Sequence, residues 1–271
     1  MNTASDKTAI EAPPEATIDA TLSQARQVLY RFASLALADP RAGAWHELTD
    51  PRCQQVALAA AALLREEPAA VASKLALGER PLERLDVASV LATLPPSPVA
   101  LNAAYEAAFG LLVSGSCPPY ESEYVNSKFT FQRSQTLADV AGFYRAFGME
   151  TSDAYPERPD HIVLELEFMG LLVDLERRAS AGTDPQAPEH QAVCRAAQAK
   201  FLEEHLAWWA PAFARLLAHE NPNGFYAAVG NFLAALIAAE RALLGLPAPV
   251  AATGPTTIER PEQCEGCLLQ S

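Results

Sequence analysis

One short segment combines acidic side chains with a histidine at a spacing that could do chemistry. It contains Asp160, His161 and Glu165. Because successive residues of an α-helix are rotated by about 100°, His161 and Glu165 would lie about 40° apart on one helix face. Such a pair can be a local contact beside a helix cap, two ligands of a metal, or a binding surface for another polypeptide.

Two of these interpretations need nothing beyond the segment and its helix. In the first, Asp160 caps the helix, since aspartate is a preferred N-cap residue, and His161 pairs with Glu165. In the second, the chain is a helical metalloenzyme that uses His161, Glu165 and His205. Two ligands from one helix are too few for a metal, and His205 lacks the Glu-x-x-His spacing of a di-metal bundle.

A rigid, aromatic segment lies upstream, between Cys117 and Tyr124. Two consecutive prolines stiffen its backbone, and Tyr120 and Tyr124 each offer an apolar ring with a polar tip. These properties suit a peptide-binding groove. The alternative is that the loop packs over the helices with both hydroxyls bonded inward.

Taken together, the two segments resemble a known family. Pro-Pro-Tyr-Glu-Ser-x-Tyr starts at Pro118, and Asp-His-x-x-x-Glu-Leu-x-Phe-Met starts at Asp160, about 35 residues after the first motif ends. This order is similar to that of the TorD/DmsD family, cytoplasmic chaperones for molybdenum-containing redox enzymes of the dimethyl sulfoxide reductase type. A weaker similarity is the His-Leu-x-x-Trp element that starts at His205.

The resemblance implies a protein that catalyses no reaction and needs no cofactor. Its partners would be the catalytic subunit of a molybdoenzyme and the twin-arginine leader peptide of that subunit. The chaperone would keep the subunit competent for cofactor insertion and shield the leader until folding is complete. Arginines of the leader would meet carboxylates such as Asp160 at the acidic rim of an apolar groove. The implied client-binding residues are Pro119, Tyr120, Glu121, Tyr124, Pro159, Asp160 and His161.

Composition narrows the class of partner. The chain has 20 basic and 33 acidic residues, a formal net charge of −13, and no cluster of lysines or arginines. A nucleic-acid partner is therefore not expected, because phosphates require a basic surface. The acidity fits a cationic peptide, and it also fits a plain need for solubility. Common phosphate-binding, hydrolase and metalloprotease motifs are absent, so a helical protein-interaction module remains an alternative.

The termini and cysteines set expectations about location and metal binding. No segment approaches the roughly 20 apolar residues of a membrane span, and the N-terminus resembles no export signal, so we expect a cytoplasmic protein without membrane insertion. Five cysteines do not form a disulfide framework. Cys264 and Cys267 supply only half of a tetrahedral metal site, which a second copy or a client would have to complete. A monomer and a dimer both stay open.

Helical periodicity dominates the chain, and alternating strand patterns are missing. We predict an all-α fold: a single TorD-like helical-bundle domain of about ten helices over residues 17–245. Residues 1–16 are predicted to be a disordered leader and 246–271 a flexible tail. In the first helix Tyr30 lies off the apolar stripe and is expected to face the groove. Further helices are predicted over residues 53–66, 69–77, 81–94, 97–113, 134–147, 159–181, 189–209, 211–219 and 222–244.

Overall fold

A computed structural model of the protein describes residues 19–110, 117–125, 130–150, 152, 157–182 and 185–255. These residues form helices and short 3₁₀ turns without any strand, so the prediction of a single all-α domain is confirmed. The predicted leader, residues 1–16, lies outside the described residues. The α-helices are α1 (Ala20–Leu37), α2 (Ala44–Thr49), α3 (Pro51–Glu66), α4 (Val87–Ala92), α5 (Pro98–Phe109), α6 (Thr130–Ala146), α7 (Ile162–Ala181), α8 (Ala187–Phe201), α9 (Ala207–Glu220) and α10 (Phe225–Leu243).

Local capping signals fix where several helices begin. The Asp19 carboxylate accepts a hydrogen bond from the Leu22 backbone N–H at 2.7 Å, which starts α1. Ser97 caps α5 in the same way, with Pro98 as the first helical residue. The sequence predicts that the first helix starts near Thr17 or Asp19 and that Ser97 caps the helix after it, and both predictions agree with the structure, because a cap depends only on its immediate neighbours.

The core of the bundle lies where α1 packs along α7, α7 along α8, and α9 along α10. The apolar stripe predicted for α1 faces this core and is buried. Between α8 and α9 the chain makes a π-helical turn over Leu202–Leu206, so the two helices follow each other without a loop. The sequence predicts that Pro211 either kinks the helix or starts a new one; it lies inside α9, so no new helix starts there.

Helix α10 is long and apolar enough to cross a membrane by length and composition alone. The expectation that no segment approaches such a span is therefore wrong for α10. However, 78% of its most apolar 18-residue window is buried inside the protein. Its apolar side chains thus serve the core of the bundle, as expected for a core helix of a helical domain.

Two predicted helices are replaced by irregular structure. The residues predicted as helix 69–77 form only the 3₁₀ turn Pro68–Ala70, and those predicted as 81–94 form a 3₁₀ turn and the short α4. A long-range contact explains the first difference. The buried guanidinium of Arg241 in α10 donates to the Glu79 carboxylate at 2.8 Å and to the Lys74 carbonyl at 2.7 Å. This anchor holds the segment in a non-helical path.

A close approach of two backbones reinforces that path. Gly78 has a φ of +91°, and a β-carbon at this position would lie 2.6 Å from the Pro211 carbonyl oxygen. Only glycine fits both requirements. The alanine-rich sequence of residues 53–66 predicts a buried helix, but α3 is buried on one side only, and Cys53 near its start is exposed.

A buried ionic cluster joins four helices at the centre of the bundle. The fully buried Arg26 guanidinium in α1 donates to the Glu240 carboxylate of α10 at 2.7 and 2.9 Å and to the Gln198 side chain of α8 at 2.8 Å. Glu176 of α7 lies 3.9 Å away. The Tyr30 hydroxyl donates to Glu240 at 3.1 Å, and the ring is fully buried. The expectation that Tyr30 faces a groove is therefore wrong.

Helix α7 also contributes a buried carboxyl group to the core. Glu165 accepts a hydrogen bond from the Trp209 indole of α9 at 3.1 Å through Oε2, while Oε1 has no hydrogen-bond partner in the described part of the chain. Burial raises the pKa of Glu165 well above its usual range, and the negative charge of Glu121 adds to the effect. The acid therefore keeps its proton beyond the pH at which an exposed glutamate ionises.

Removing one charge from the cluster around Arg26 should destabilise the protein more than removing one exposed charge. We expect Arg26→Met to lower the free energy of unfolding by about 3–5 kcal/mol, because it leaves the Glu240 charge buried and unpaired. Arg26→Met/Glu240→Leu should recover most of that loss. Arg31→Met, which removes an exposed partner of Glu47, should cost less than about 1 kcal/mol. Urea unfolding of the four proteins checks this, and equal losses in the two single variants would contradict it.

The protonated state of Glu165 should appear in the pH dependence of stability. The folded-state pKa exceeds the usual value of 4.5, so the stability that this group contributes is lost as pH rises above that value. Glu165→Gln keeps an acceptor for Trp209 and removes the titration. Urea unfolding should show that the free energy of unfolding of the variant, relative to that of wild type, increases steadily from mildly acidic to mildly alkaline pH. A difference that is independent of pH would contradict the assignment.

Candidate functional site

The two motifs meet in the structure. The Glu121 N–H donates to the Asp160 carbonyl and the Ile162 N–H to the Pro119 carbonyl, both at 2.9 Å, and Tyr120 pairs with His161 as an isolated antiparallel bridge. We call residues 117–125 and 157–162 together the motif junction. Segments separated by about 35 residues in sequence therefore form one local unit at the start of α7.

The carboxylate of Asp160 holds the motif junction together and is fully buried. It accepts hydrogen bonds from the Ser122 backbone N–H at 3.0 Å and from the Arg158 guanidinium at 2.8 and 3.1 Å. Arg158 also donates to the Ser122 hydroxyl at 2.6 Å. In this arrangement the Asp160 carboxylate faces its own loop and not the solvent.

His161, and not Asp160, caps α7. Its Nδ1 accepts the Val163 N–H at 3.2 Å, and the helix begins at Ile162. The predicted start at Pro159 and the predicted Asp160 cap are wrong, because the Asp160 carboxylate is drawn to Ser122 and Arg158. Burial lowers the pKa of His161 to about 4, so the ring is neutral at physiological pH and Nδ1 is free to accept. The predicted pair with Glu165 does not form, since that carboxyl group binds Trp209.

Tyr120 lies on the partly exposed side of the motif junction. Its hydroxyl donates to Glu157 at 3.2 Å, and the Arg158 guanidinium lies 4.3 Å from the centre of its ring. Burial, with the neighbouring Glu157 charge, raises the pKa of Tyr120 to about 12, so the hydroxyl stays protonated. The ring meets the His161 ring edge-on at 5.1 Å. Tyr120, Glu157 and Arg158 thus form a mixed aromatic and charged surface.

The remaining motif residues point inward or lie at the edge. Tyr124 is buried, donates to the Pro118 carbonyl at 3.1 Å and packs against Trp209. Pro119 is buried, and Pro159 is half-buried, with its carbonyl accepting from Tyr144 at 2.8 Å. The inward alternative for the tyrosines therefore describes Tyr124 and not Tyr120.

Glu121 connects the motif junction to α9. The buried carboxylate accepts the Trp208 indole N–H at 3.0 Å, and its Oε2 lies 3.0 Å from Nδ1 of His205. Burial raises the pKa of Glu121, and the contacts with His205 and Trp208 oppose that rise. Beside this pair lies an open cleft of about 430 Å³, which we call the acidic cleft. It is lined by Glu121, Val125, Thr136, Asp139, Glu204, His205 and Trp208.

Sequence reasoning did not single out Arg158, Glu157 or Trp208. A signal for Arg158 was present: it stands two residues before Asp160, and a carboxylate that is buried needs a cation or several N–H donors. No such signal marks Trp208, because its partner Glu121 is 87 residues away.

The described residues do not support the metalloenzyme alternative. His161 caps a helix, Glu165 binds Trp209 and His205 contacts Glu121. No group of three or more histidine, cysteine or acidic side chains in the described part of the chain could hold a metal ion. Cys264 and Cys267, the candidate metal ligands, lie outside the described residues.

Comparison with known proteins places the chain in a family. The sequence matches the nitrate reductase delta subunit family over residues 79–215, half of its length. It is 31% identical over 118 residues to the chaperone protein TorD of Aliivibrio salmonicida, covering 44% of this chain and 52% of that protein. It is 37% identical over 117 residues to a selenate reductase assembly chaperone of Thauera selenatis, covering 43% and 57%. A chlorate reductase assembly chaperone of Ideonella dechloratans is 34% identical over 113 residues, covering 42% and 55%.

The family match over residues 79–215 includes both motifs of the junction and the turn that carries His205. The chain spans about half the length of the relatives that it matches. No solved structure gives a significant match. The resemblance to TorD proteins that the two motifs predicted is confirmed, and the chain belongs to the nitrate reductase delta subunit family.

Proposed function

We propose that this protein is a cytoplasmic maturation chaperone, with residues 17–245 as the chaperone domain and 246–271 as a tail. Its client would be the catalytic subunit of a molybdenum-containing reductase, including the twin-arginine leader of that subunit. The chaperone would bind the subunit before cofactor insertion, shield the leader until folding is complete, and catalyse no reaction. The names of its relatives, which are assembly chaperones of selenate and chlorate reductases, support this proposal.

The observation that carries the proposal is the division of the motif junction into a buried and an exposed side. Asp160, His161 and Tyr124 are buried and hold the fold of the junction. Tyr120 and Arg158 remain accessible, and aromatic and arginine side chains are the most frequent anchors of protein interfaces. In this proposal the buried motif residues position the exposed ones for contact with the client.

Tyr120 should therefore matter for binding and Tyr124 for stability. We expect Tyr120→Ala to weaken client binding by about tenfold or more, because an anchor ring is lost at a partly exposed position. Tyr124→Phe keeps the buried ring and loses the hydrogen bond to Pro118, so it should cost about 1 kcal/mol of stability and leave binding unchanged. Calorimetry checks both, with the twin-arginine leader peptide and the apo catalytic subunit of a molybdenum-containing reductase from the same organism as ligands. Unchanged binding in Tyr120→Ala would contradict the assigned surface.

Asp160 should act on binding through the loop and not by direct contact. Asp160→Asn removes the charge that holds Arg158 and keeps the size of the side chain, so we expect a loss of about 1–3 kcal/mol in stability together with weaker binding. Asp39→Asn, which loosens the exposed pair with Arg41, is the matched control and should change neither. Urea unfolding and calorimetry on the same samples separate the two effects. Weaker binding at unchanged stability would mean that Asp160 contacts the client itself.

A further inference from the structure

The acidic cleft presents negative charge, and its lining contains no described lysine or arginine. Asp139 and Glu204 are exposed, and Glu121 and His205 are buried beneath them. The half-buried Trp208 completes one wall and donates its indole N–H to Glu121. The cleft thus has an anionic opening and an aromatic wall.

The imidazole of His205 has one nitrogen engaged and one without a partner. Nδ1 faces the Glu121 carboxylate at 3.0 Å. In the neutral ring with its proton on Nδ1, which is the form that the proposal below requires, Nε2 offers a lone pair. It has no hydrogen-bond partner in the described part of the chain, although the histidine is only 5% exposed. The aromatic rings of Phe143 and Phe201 pack against the imidazole and cannot supply a donor.

A buried nitrogen without a partner costs stability unless a ligand supplies the missing donor. The other polar side chains of the lining also offer acceptors: the Thr136 hydroxyl already donates to the Gln132 carbonyl, and the Asp139 carboxylate, which accepts from Gln135 through Oδ1, and the Glu204 carboxylate are acceptors. The complement is a ligand group with several N–H donors, a positive charge and no acceptor. A guanidinium has these properties, and its flat face also packs on an indole ring, which an ammonium group does less well.

We propose that the acidic cleft takes one arginine side chain of the client polypeptide, paired with Asp139 and Glu204 and with His205 as the acceptor beneath them. The proposal rests on the proposed chaperone function and assigns the arginine contact within it. It moves that contact away from Asp160, whose carboxylate is already bound by Arg158 and Ser122. The cleft and the partly exposed Tyr120 surface would then contact neighbouring parts of one client.

Calorimetry with two peptides and three proteins tests the proposal. The peptides are the twin-arginine leader used above and the same leader with both arginines replaced by glutamine. The proteins are wild type, Asp139→Asn/Glu204→Gln, and the control Glu66→Gln/Glu203→Gln, which removes two exposed charges outside the cleft lining. We expect the cleft variant to bind the arginine leader about tenfold more weakly than wild type, and the control variant to bind like wild type. The glutamine leader should bind all three proteins equally.

A second measurement places the arginine in the cleft. The indole N–H of Trp208, assigned in the nitrogen-15 NMR spectrum by comparison with Trp208→Phe, should shift with the arginine leader and not with the glutamine leader. Equal binding of the arginine leader to wild type and the cleft variant would overturn the cleft proposal and leave the chaperone function standing. Equal losses in the cleft and control variants would also overturn it, since net charge alone would then explain the effect. If wild type bound neither the leader nor the apo subunit, the proposed function itself would fail.

Discussion

The Asp160 carboxylate is the interaction on which the rest of the site depends. Burying a carboxylate is unfavourable unless charge and hydrogen bonds compensate for the lost water, and here a guanidinium and a backbone N–H do so. Both donors come from the motif junction itself, so satisfying the charge requires the loop to lie against the start of α7. That position in turn brings Glu121 to His205 and Trp208. One buried charge thus fixes the loop, the helix start and one wall of the acidic cleft.

The parts of the fold that were predictable are those set by local chemistry. The start of α1 at Asp19 and of α5 at Ser97 follow from caps whose partners lie three residues away. The segment around Glu79 could not be predicted, because its path depends on Arg241, 162 residues later. An alanine- and leucine-rich sequence favours a helix there until that distant guanidinium binds it, so a tertiary contact overrides the local preference.

The same distinction applies to the site. The motifs identified the correct segments, since the residues around Tyr120 and Asp160 do form one unit. The direction of each side chain was not predictable: Asp160 faces inward because Ser122 and Arg158 meet it there, and the helix cap passes to His161. Resemblance to a family indicates which residues recur, whereas the hydrogen-bond partners of those residues are known only from the structure.

The two adjacent tryptophans of α9 have a consequence for how the bundle could rearrange. Trp208 donates to Glu121 in the loop, and Trp209 donates to Glu165 in α7. The side chains of neighbouring helix residues point about 100° apart, so the two hydrogen bonds hold α9 on two different faces. Turning the helix about its long axis would break both bonds at once and strand two buried carboxyl groups. A conformational change that keeps both hydrogen bonds must therefore move α9, α7 and the loop together as one rigid body. The other helices would then have to move relative to that body.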